Sequence, residues 1–261
     1  MSYLNIFGSN MKLFGSHTDR VATGLGLIAG VSLIGYIDNF YLTWLFLGGV
    51  YLLAFYEANN LFGIKDNKLY FYAALIWIVA LFYPYGDDLF VIAGIVFASL
   101  MAYKNEKSWS GFLPFLYPTA GMLFTLSMYK EYGMIALLWL LVAVAATDTG
   151  AYVVGKSIGK TPFSPTSPKK TMEGLVGGVI VATIGASFVG VMIVDIEKAV
   201  IISFVVSIAS IFGDLFESSL KRQAGVKDSG TILPGHGGVL DRIDGYLFGS
   251  VVMLVLLRGL V

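Results

Sequence analysis

The 261-residue sequence has no cysteine, two histidines and seven prolines, and few charged residues of either sign. The lack of cysteine excludes disulfides and thiolate metal sites, and it leaves the redox compartment unreadable from composition. Seventeen basic residues balance seventeen acidic ones, and a net charge of zero argues against a protein that binds nucleic acid through a basic surface. The first 20 residues lack the compact apolar run and cleavage site of a secretory signal, so we expect no cleaved signal peptide.

Apolar residues, by contrast, are abundant: 57% of the chain is hydrophobic and 13% is charged, against about 45–50% and about 25% in soluble domains. Nine apolar runs lie at about 21–37, 40–56, 69–84, 88–102, 112–128, 133–149, 174–194, 198–218 and 243–259. A membrane helix needs about 20 residues, so interfacial aromatic residues or a locally thinner bilayer must complete the shorter runs. We predict an all-α, polytopic integral membrane protein of about nine transmembrane helices, with one domain over residues 1–261.

The positions of lysine and arginine predict how these helices are oriented. With a cytoplasmic N-terminus and nine alternating spans, 14 of the 17 basic residues lie on the cytoplasmic side and 3 outside, as the positive-inside rule requires. The cytoplasmic residues are Lys12, Arg20, Lys65, Lys68, Lys104, Lys107, Lys156, Lys160, Lys169, Lys170, Lys221, Arg222, Lys227 and Arg242, and the outer ones are Lys130, Lys198 and Arg258. The same topology predicts two long cytoplasmic loops, at about 150–173 and 219–242.

Small residues recur every four positions in the seventh apolar run, at Gly174, Gly178, Ala182, Ala186 and Gly190. At about 3.6 residues per turn they share one helix face, against which a second helix can pack closely. Packing within the bundle is a better explanation of this face than a dedicated dimer interface.

Residues 150–157, GAYVVGKS, match the phosphate-binding pattern G-x-x-x-x-G-K-[ST]. That mechanism needs a strand before the loop and a helix after it, whose N-terminal amides hold the phosphate. Here an apolar helix is predicted before the segment, and three prolines follow it within residues 162–168. We therefore predict that the match is coincidental, although its lysines remain able to contact phosphate.

Four aspartates are predicted to lie at one depth, the cytoplasmic boundary of the membrane. Asp148 lies at the end of the sixth run, Asp214 lies far into the eighth, and Asp241 and Asp244 lie at the start of the ninth. Asp214 shares a helix face with Ser218 at i, i+4, and Asp241 shares one with Asp244 at i, i+3. An ionisable residue within a membrane helix costs about 2.5–3.5 kcal/mol, so it usually has a partner or faces a cavity.

The residue types in this layer favour a site for a metal and a polyphosphate. Carboxylate oxygens suit Mg²⁺ better than zinc where cysteine is absent and histidine scarce, and the glycines of residues 233–238, LPGHGG, allow backbone amides to approach an anion. Taken alone, Asp241 and Asp244 are better explained as acids at a helix N-terminus, and His236 as a hydrogen-bonded loop residue. Asp214 has no such explanation, because its helix is otherwise apolar.

The polar segment SSLKRQAGVKDSGTILPGHGGVLDRIDGY, residues 218–246, resembles the signature of the phosphatidate cytidylyltransferases (CDP-diacylglycerol synthases). The family pattern is S-x-apolar-K-R, four residues, K-D-x-G, two residues, apolar-P-x-H-G-G-apolar-x-D-R-apolar-D. The matching residues are Ser218, Leu220, Lys221, Arg222, Lys227, Asp228, Gly230, Leu233, Pro234, His236, Gly237, Gly238, Val239, Asp241, Arg242, Ile243 and Asp244. Residues 148–152, DTGAY, and 167–174, SPKKTMEG, are similar to further segments of the same family.

This resemblance implies an enzyme, a nucleotidyltransferase that converts CTP and phosphatidate into CDP-diacylglycerol and pyrophosphate for phospholipid biosynthesis. It implies Mg²⁺ as cofactor, alone or with a second metal ion. The size and span count of this chain are similar to those of bacterial members. This similarity implies a homodimer in the inner membrane, with its site facing the cytoplasm.

The resemblance also implies roles for individual residues, all of them in the C-terminal half, about residues 133–261. The catalytic set is Asp214, Asp241, Asp244, Lys221 and Arg222, and the three aspartates of that set hold the metal. The substrate-binding candidates are Asp148, Ser167, Lys169, Lys170, Ser218, Lys227, Gly237, Gly238 and Arg242.

Three other functions fit parts of the pattern. A CTP-using lipid alcohol kinase, such as those for dolichol or phytol, would keep the site but transfer the γ-phosphoryl group, and the unbroken signature argues against it. A transporter places its polar residues near the midplane, in broken helices and often in repeats, whereas these residues lie at one face and no repeat is visible. A purely structural membrane protein would have little use for Asp214.

Overall fold

The computed structural model describes residues 15–105 and 108–261, and these residues are mainly helical. The α-helices are α1 (Gly15–Ile37), α2 (Phe40–Leu61), α3 (Lys68–Phe82), α4 (Asp88–Lys104), α5 (Ala120–Ile158), α6 (Met172–Gly190), α7 (Ile196–Gln223) and α8 (Leu240–Leu260). A 3₁₀ turn (Ser110–Phe112) and a π-helical turn (Phe115–Thr119) precede α5, and two antiparallel strands, β1 (Pro162–Ser164) and β2 (Ser167–Thr171), form a hairpin. Lys12 and Lys107, both used in the predicted orientation, lie outside the described residues.

Long apolar helices confirm the predicted fold class of an α-helical membrane protein. By length and composition, five helical stretches within the described residues can cross a bilayer, and shorter apolar helices accompany them. The sixth predicted run and the second half of the fifth lie in α5, whose helical backbone is broken at Gly133. Gly133 has a φ of +74°, a conformation that glycine adopts without the strain that a side chain would cause. The break lies where the sixth predicted run begins.

The predicted small-residue face of α6 packs inside the bundle. A Cβ on Gly178 would come within 2.5 Å of the carbonyl oxygen of Thr147, and one on Gly174 within 2.7 Å of that of Ala151. Glycine at these positions therefore allows the backbones of α5 and α6 to touch, which confirms the preferred explanation of the repeat.

The segment that matches a phosphate-binding loop is helical. Residues 150–157 lie within α5, and Gly150 packs against Gly178 of α6. The rejection of a P-loop is confirmed, because its glycines serve helix packing and no loop forms.

The prediction of a cytoplasmic loop over about 150–173 is wrong in its boundaries. The helix continues to Ile158, and most of the remaining segment is the β1–β2 hairpin. The Glu173 carboxylate fixes this hairpin to α6 by accepting hydrogen bonds from Thr161 Oγ1 (2.7 Å) and Lys160 N (3.1 Å). An apolar run marks the part of a helix that lies in lipid. The helix itself extends further wherever its backbone hydrogen bonds continue.

Two apolar cores share α8. One core, around Phe55 and Trp77, includes Leu240 from the start of α8, and the other, around Trp139, includes Met253 from its second half. This helix therefore joins the helices of the N-terminal half to those of the C-terminal half.

Candidate active site

The site is built where α7 crosses α8. A Cβ on Gly213 would lie 2.5 Å from the Asp244 carbonyl oxygen, so only glycine lets the two helices approach this closely. The crossing brings Asp214, the next residue of α7, near Asp244 of α8, and the two carboxylates are close enough to repel each other. The predicted convergence of these two distant aspartates is therefore present in the structure.

Asp214 pairs with a lysine of the hairpin. Lys170 Nζ, on β2, contacts Asp214 Oδ2, and Ser218 Oγ donates a hydrogen bond of 3.2 Å to Asp214 Oδ1. Asp148 of α5 is exposed and close enough to interact electrostatically with both Lys170 and Asp214. The other hairpin candidates are less central: Ser167 pairs with Ser164 across the hairpin, and Lys169 is exposed.

A second lysine lies between two carboxylates. Lys221 Nζ is 2.5 Å from Glu217 Oε2 and 2.6 Å from Asp241 Oδ1, and all three side chains are largely buried. This cation therefore links α7 to the start of α8. Arg222, the next residue, is exposed and donates a hydrogen bond of 3.0 Å to the Val226 carbonyl oxygen.

Asp241 organises the signature loop, residues 224–239 between α7 and α8, in addition to pairing with Lys221. Its Oδ2 accepts hydrogen bonds from Ser229 N (2.9 Å), Ser229 Oγ (3.0 Å) and Gly238 N (2.8 Å). Gly237, with a φ of +82°, is also close: a Cβ there would lie 2.6 Å from Asp241 Oδ2. The glycines thus let backbone amides approach an anion, as expected, and in this structure the anion is a carboxylate of the protein.

The signature loop also lines a cavity at the protein surface. It has a volume of about 580 Å³, and the cations Lys227 and Arg242 are among its lining residues. Arg242 Nε donates a hydrogen bond of 3.0 Å to the His236 carbonyl oxygen, which fixes one side of the cavity. This cavity is large enough for several phosphate groups, and it adjoins the loop that Asp241 holds.

Three buried residues of the site were not found from the sequence. Glu217 is fully buried one turn from Asp214 on α7, Glu57 is fully buried on α2, and Tyr117 is 4% exposed in the π-helical turn. Glu57 accepts hydrogen bonds from the start of α8. Glu217 lies in the same apolar run as Asp214, and Glu57 directly follows the second apolar run. An acidic residue in or beside an apolar run is therefore the sequence signal for both glutamates.

The donor chemistry of the crossing fits Mg²⁺. Asp214, Asp244 and Glu217 supply carboxylate oxygens, and Glu217 Oε1 is buried without a hydrogen-bond partner. As the side chains stand, however, no three acidic or histidine residues in the part of the chain that the structure describes form a complete metal group. Asp241 has both oxygens engaged by Lys221, Ser229 and Gly238. The metal set Asp214, Asp241 and Asp244 stays a prediction.

Comparison with known proteins shows the family. The sequence profile of the cytidylyltransferase family matches residues 18–260. A phosphatidate cytidylyltransferase of Helicobacter pylori is 46% identical over 241 residues, 91% of each chain. The enzyme of that name from Thermotoga maritima is 32% identical over 81% of this chain and 86% of its own, and the one from Bacillus subtilis is 44% identical over 45% of each.

The profile match covers nearly the whole chain, including the hairpin, α7, the signature loop and α8, which together form the site described above. The chain therefore belongs to the cytidylyltransferase family and is a nucleotidyltransferase.

Proposed function

We propose that this chain transfers the cytidylyl group of CTP to phosphatidate, which yields CDP-diacylglycerol and pyrophosphate. The observation that carries the proposal is a set of four cations: Lys170 and Lys221 pair with carboxylates at the α7–α8 crossing, and Lys227 and Arg242 line the cavity of the adjoining loop. A site for two polyanionic substrates needs such cations, and relatives that match nine-tenths of the chain carry the name of this reaction.

The reaction makes and breaks one bond at phosphorus. An oxygen of the lipid phosphate bonds to the α-phosphorus of CTP, and the bond from that phosphorus to the oxygen bridging to the β-phosphate breaks, which releases pyrophosphate. Nucleophile and leaving group are both anions, so catalysis consists mainly of positioning and charge neutralisation. Lys170 and Lys221 pair with carboxylates at the crossing, and Lys227 and Arg242, which line the cavity, would bind the phosphates that leave together with Arg222, the neighbour of Lys221 in sequence.

Magnesium is part of the proposal. Asp214 and Asp244 would hold it with Glu217, and Asp241 would join through Oδ1 once Lys221 turned to a phosphate oxygen. The ion, alone or with a second metal, would neutralise phosphate charge during the transfer.

The proposed setting is a bacterial inner membrane, with nine spans and a cytoplasmic N-terminus. In support, Lys170, Lys221 and Arg242 lie at one end of the bundle, and Arg258 lies at the far end of α8. This topology exposes the cavity to cytoplasmic CTP, while phosphatidate enters sideways between the helices. A homodimer, proposed from the family resemblance, is tested by the mass of the purified protein in detergent.

The decisive experiment is an assay of purified protein with phosphatidate, Mg²⁺ and CTP labelled at either the α- or the γ-phosphate. We expect α-label in the lipid product and γ-label in pyrophosphate. Transfer of γ-label to a lipid would instead select the lipid kinase.

Asp241→Asn tests the site itself. We expect no CDP-diacylglycerol from this variant although it remains folded and membrane-inserted, because the amide lacks the charge that pairs with Lys221 or a metal. Turnover at the wild-type rate would show that catalysis does not need Asp241.

A further inference from the structure

Glu57 is a fully buried carboxylate in the N-terminal half, far along the chain from the signature loop. It lies near the end of α2 and is 0% exposed. Burying a carboxylate is costly unless hydrogen bonds and nearby positive charge compensate it. Its partners therefore indicate what the residue does.

The partners of Glu57 are the signature loop and the first amides of α8. Oε1 accepts from Val239 N (3.0 Å), and Oε2 accepts from Leu240 N (2.7 Å) and Ser229 Oγ (3.0 Å). The first amides of a helix have no partner within the helix, and the helix dipole favours a negative charge there. Glu57 thus supplies both the acceptors and the charge for the start of α8.

Two loop glycines make room for this carboxylate. A Cβ on Gly230 would lie 2.4 Å from Glu57 Oε1, and one on Gly238 would lie 2.4 Å from Glu57 Oε2. The loop therefore wraps closely around the carboxylate, in a way that no residue with a side chain permits at these positions.

Ser229 connects Glu57 to the site. Its hydroxyl lies 3.0 Å from both Glu57 Oε2 and Asp241 Oδ2, so its single hydrogen can be donated to either carboxylate. Asp241 in turn holds Lys221. A chain of contacts therefore runs from α2 through Ser229 to the central ion pair.

We infer that Glu57 is a positioning residue, which fixes the signature loop and the start of α8 so that Asp241 and Lys221 are held at the α7–α8 crossing. Its effect on turnover rests on the proposed function, whereas its effect on the loop does not. The catalytic machinery thus extends beyond the C-terminal half into α2.

Hydrogen–deuterium exchange of the full-length protein in detergent tests the loop directly. We expect the Val239 and Leu240 amides to be protected in the wild type, although first-turn amides usually exchange fast, and to lose protection in Glu57→Gln. In glutamine an NH₂ group faces at least one of these donors. Exchange in the wild type as fast as at the start of α7, where no side chain caps the first amides, would overturn the inference.

Asn59→Ala is the matched control. Asn59 is as buried as Glu57 and lies on the same helix, but its side chain donates to Phe55 O within α2. We expect unchanged exchange at 239–240 in this variant. Equal loss of protection in both variants would attribute the effect to general loosening of α2 and overturn the inference.

Turnover separates positioning from simple stability. We expect Glu57→Gln to lower kcat by about tenfold to a hundredfold per folded molecule, with the KM for CTP within about threefold, because a displaced Asp241 misplaces the reacting groups. A purely structural residue would lower the melting temperature and the folded fraction but leave kcat unchanged, and that result would overturn the inference.

Ser229→Ala extends the test if Glu57→Gln is not recovered in folded form. It removes the shared hydroxyl, so we expect the same fall in kcat from this variant, and wild-type kcat would contradict the inference. Should the wild type make no CDP-diacylglycerol at all, the proposed function fails, while the exchange at 239–240 still decides the role of Glu57 in the loop.

Discussion

At the scale of single residues, Lys221 is a buried cation that lies between two carboxylates of the site. It is largely buried and has Glu217 on one side and Asp241 on the other. Two buried carboxylates that share one ammonium are stable only while the cation is present. Arg222, its neighbour in sequence, is exposed and points to the loop backbone.

The pair Lys221→Ala and Arg222→Ala tests this difference. We expect Lys221→Ala to lose about 3–5 kcal/mol of unfolding free energy and nearly all activity, because it leaves two buried carboxylates without their cation. Arg222→Ala should keep the wild-type melting temperature and raise the KM for CTP. Thermal unfolding in detergent and initial rates measure both, and equal melting temperatures for the two variants would contradict the assignment.

At the scale of elements, the site depends on how closely α7 approaches α8. Gly213 contacts the Asp244 backbone, and Gly245 lies against Ser210. The crossing therefore sets the separation of Asp214 from Asp244, which no local pattern in either helix specifies.

Gly213→Ala should separate the two helices. The new Cβ would lie 2.5 Å from the Asp244 carbonyl oxygen, so α7 has to move, and we expect activity to fall at least about tenfold. Gly185→Ala is the control, because a Cβ on Gly185 has no atom within 4 Å and alanine favours the helix. Similar activities for the two variants would show that the crossing distance does not matter.

At the scale of the whole molecule, the two ends of the bundle have different roles: one holds the site, and the other holds a cluster of ion pairs. At the end opposite the site, Arg258 Nη1 lies 2.6 Å from Asp87 Oδ2 and Arg258 Nε 2.9 Å from Glu131 Oε2. Arg258 thus joins α8 to the start of α4 and to α5. About 21 Å of helix separates it from Asp244, so this cluster serves stability.

Arg258→Ala should lower stability in a pH-dependent way. Burial alone would raise the pKa of Asp87, but hydrogen bonds from Arg258 and Ser127 hold it below its ordinary value. A lowered folded-state pKa stabilises above the unfolded value of about 3.9, and that contribution is lost as the pH falls through the folded pKa.

We therefore expect Arg258→Ala to melt several degrees below the wild type at pH 7, with the difference shrinking below about pH 4. Thermal unfolding across this pH range measures it. Turnover at pH 7 by the folded variant should match the wild type, and a tenfold loss would place this cluster in the mechanism.

The sequence alone predicted that this protein lies in a membrane and that it contains an acidic site. Apolar runs of helical length predict membrane helices because lipid leaves the backbone few alternatives to a helix, and Asp214 was identified because an acid in an apolar helix requires a partner. Glu217 is also an acidic residue on the same apolar helix, but it was not singled out.

Only the tertiary structure decided which groups meet. Asp241 pairs with Lys221 and Asp214 with Lys170 because Gly213 lets α7 and α8 touch and the hairpin folds back onto them. The contact of Glu57 with Leu240 spans 183 residues of sequence. Such contacts depend on the packing of whole helices, and helical periodicity specifies which face of a helix is buried but not which helix covers it.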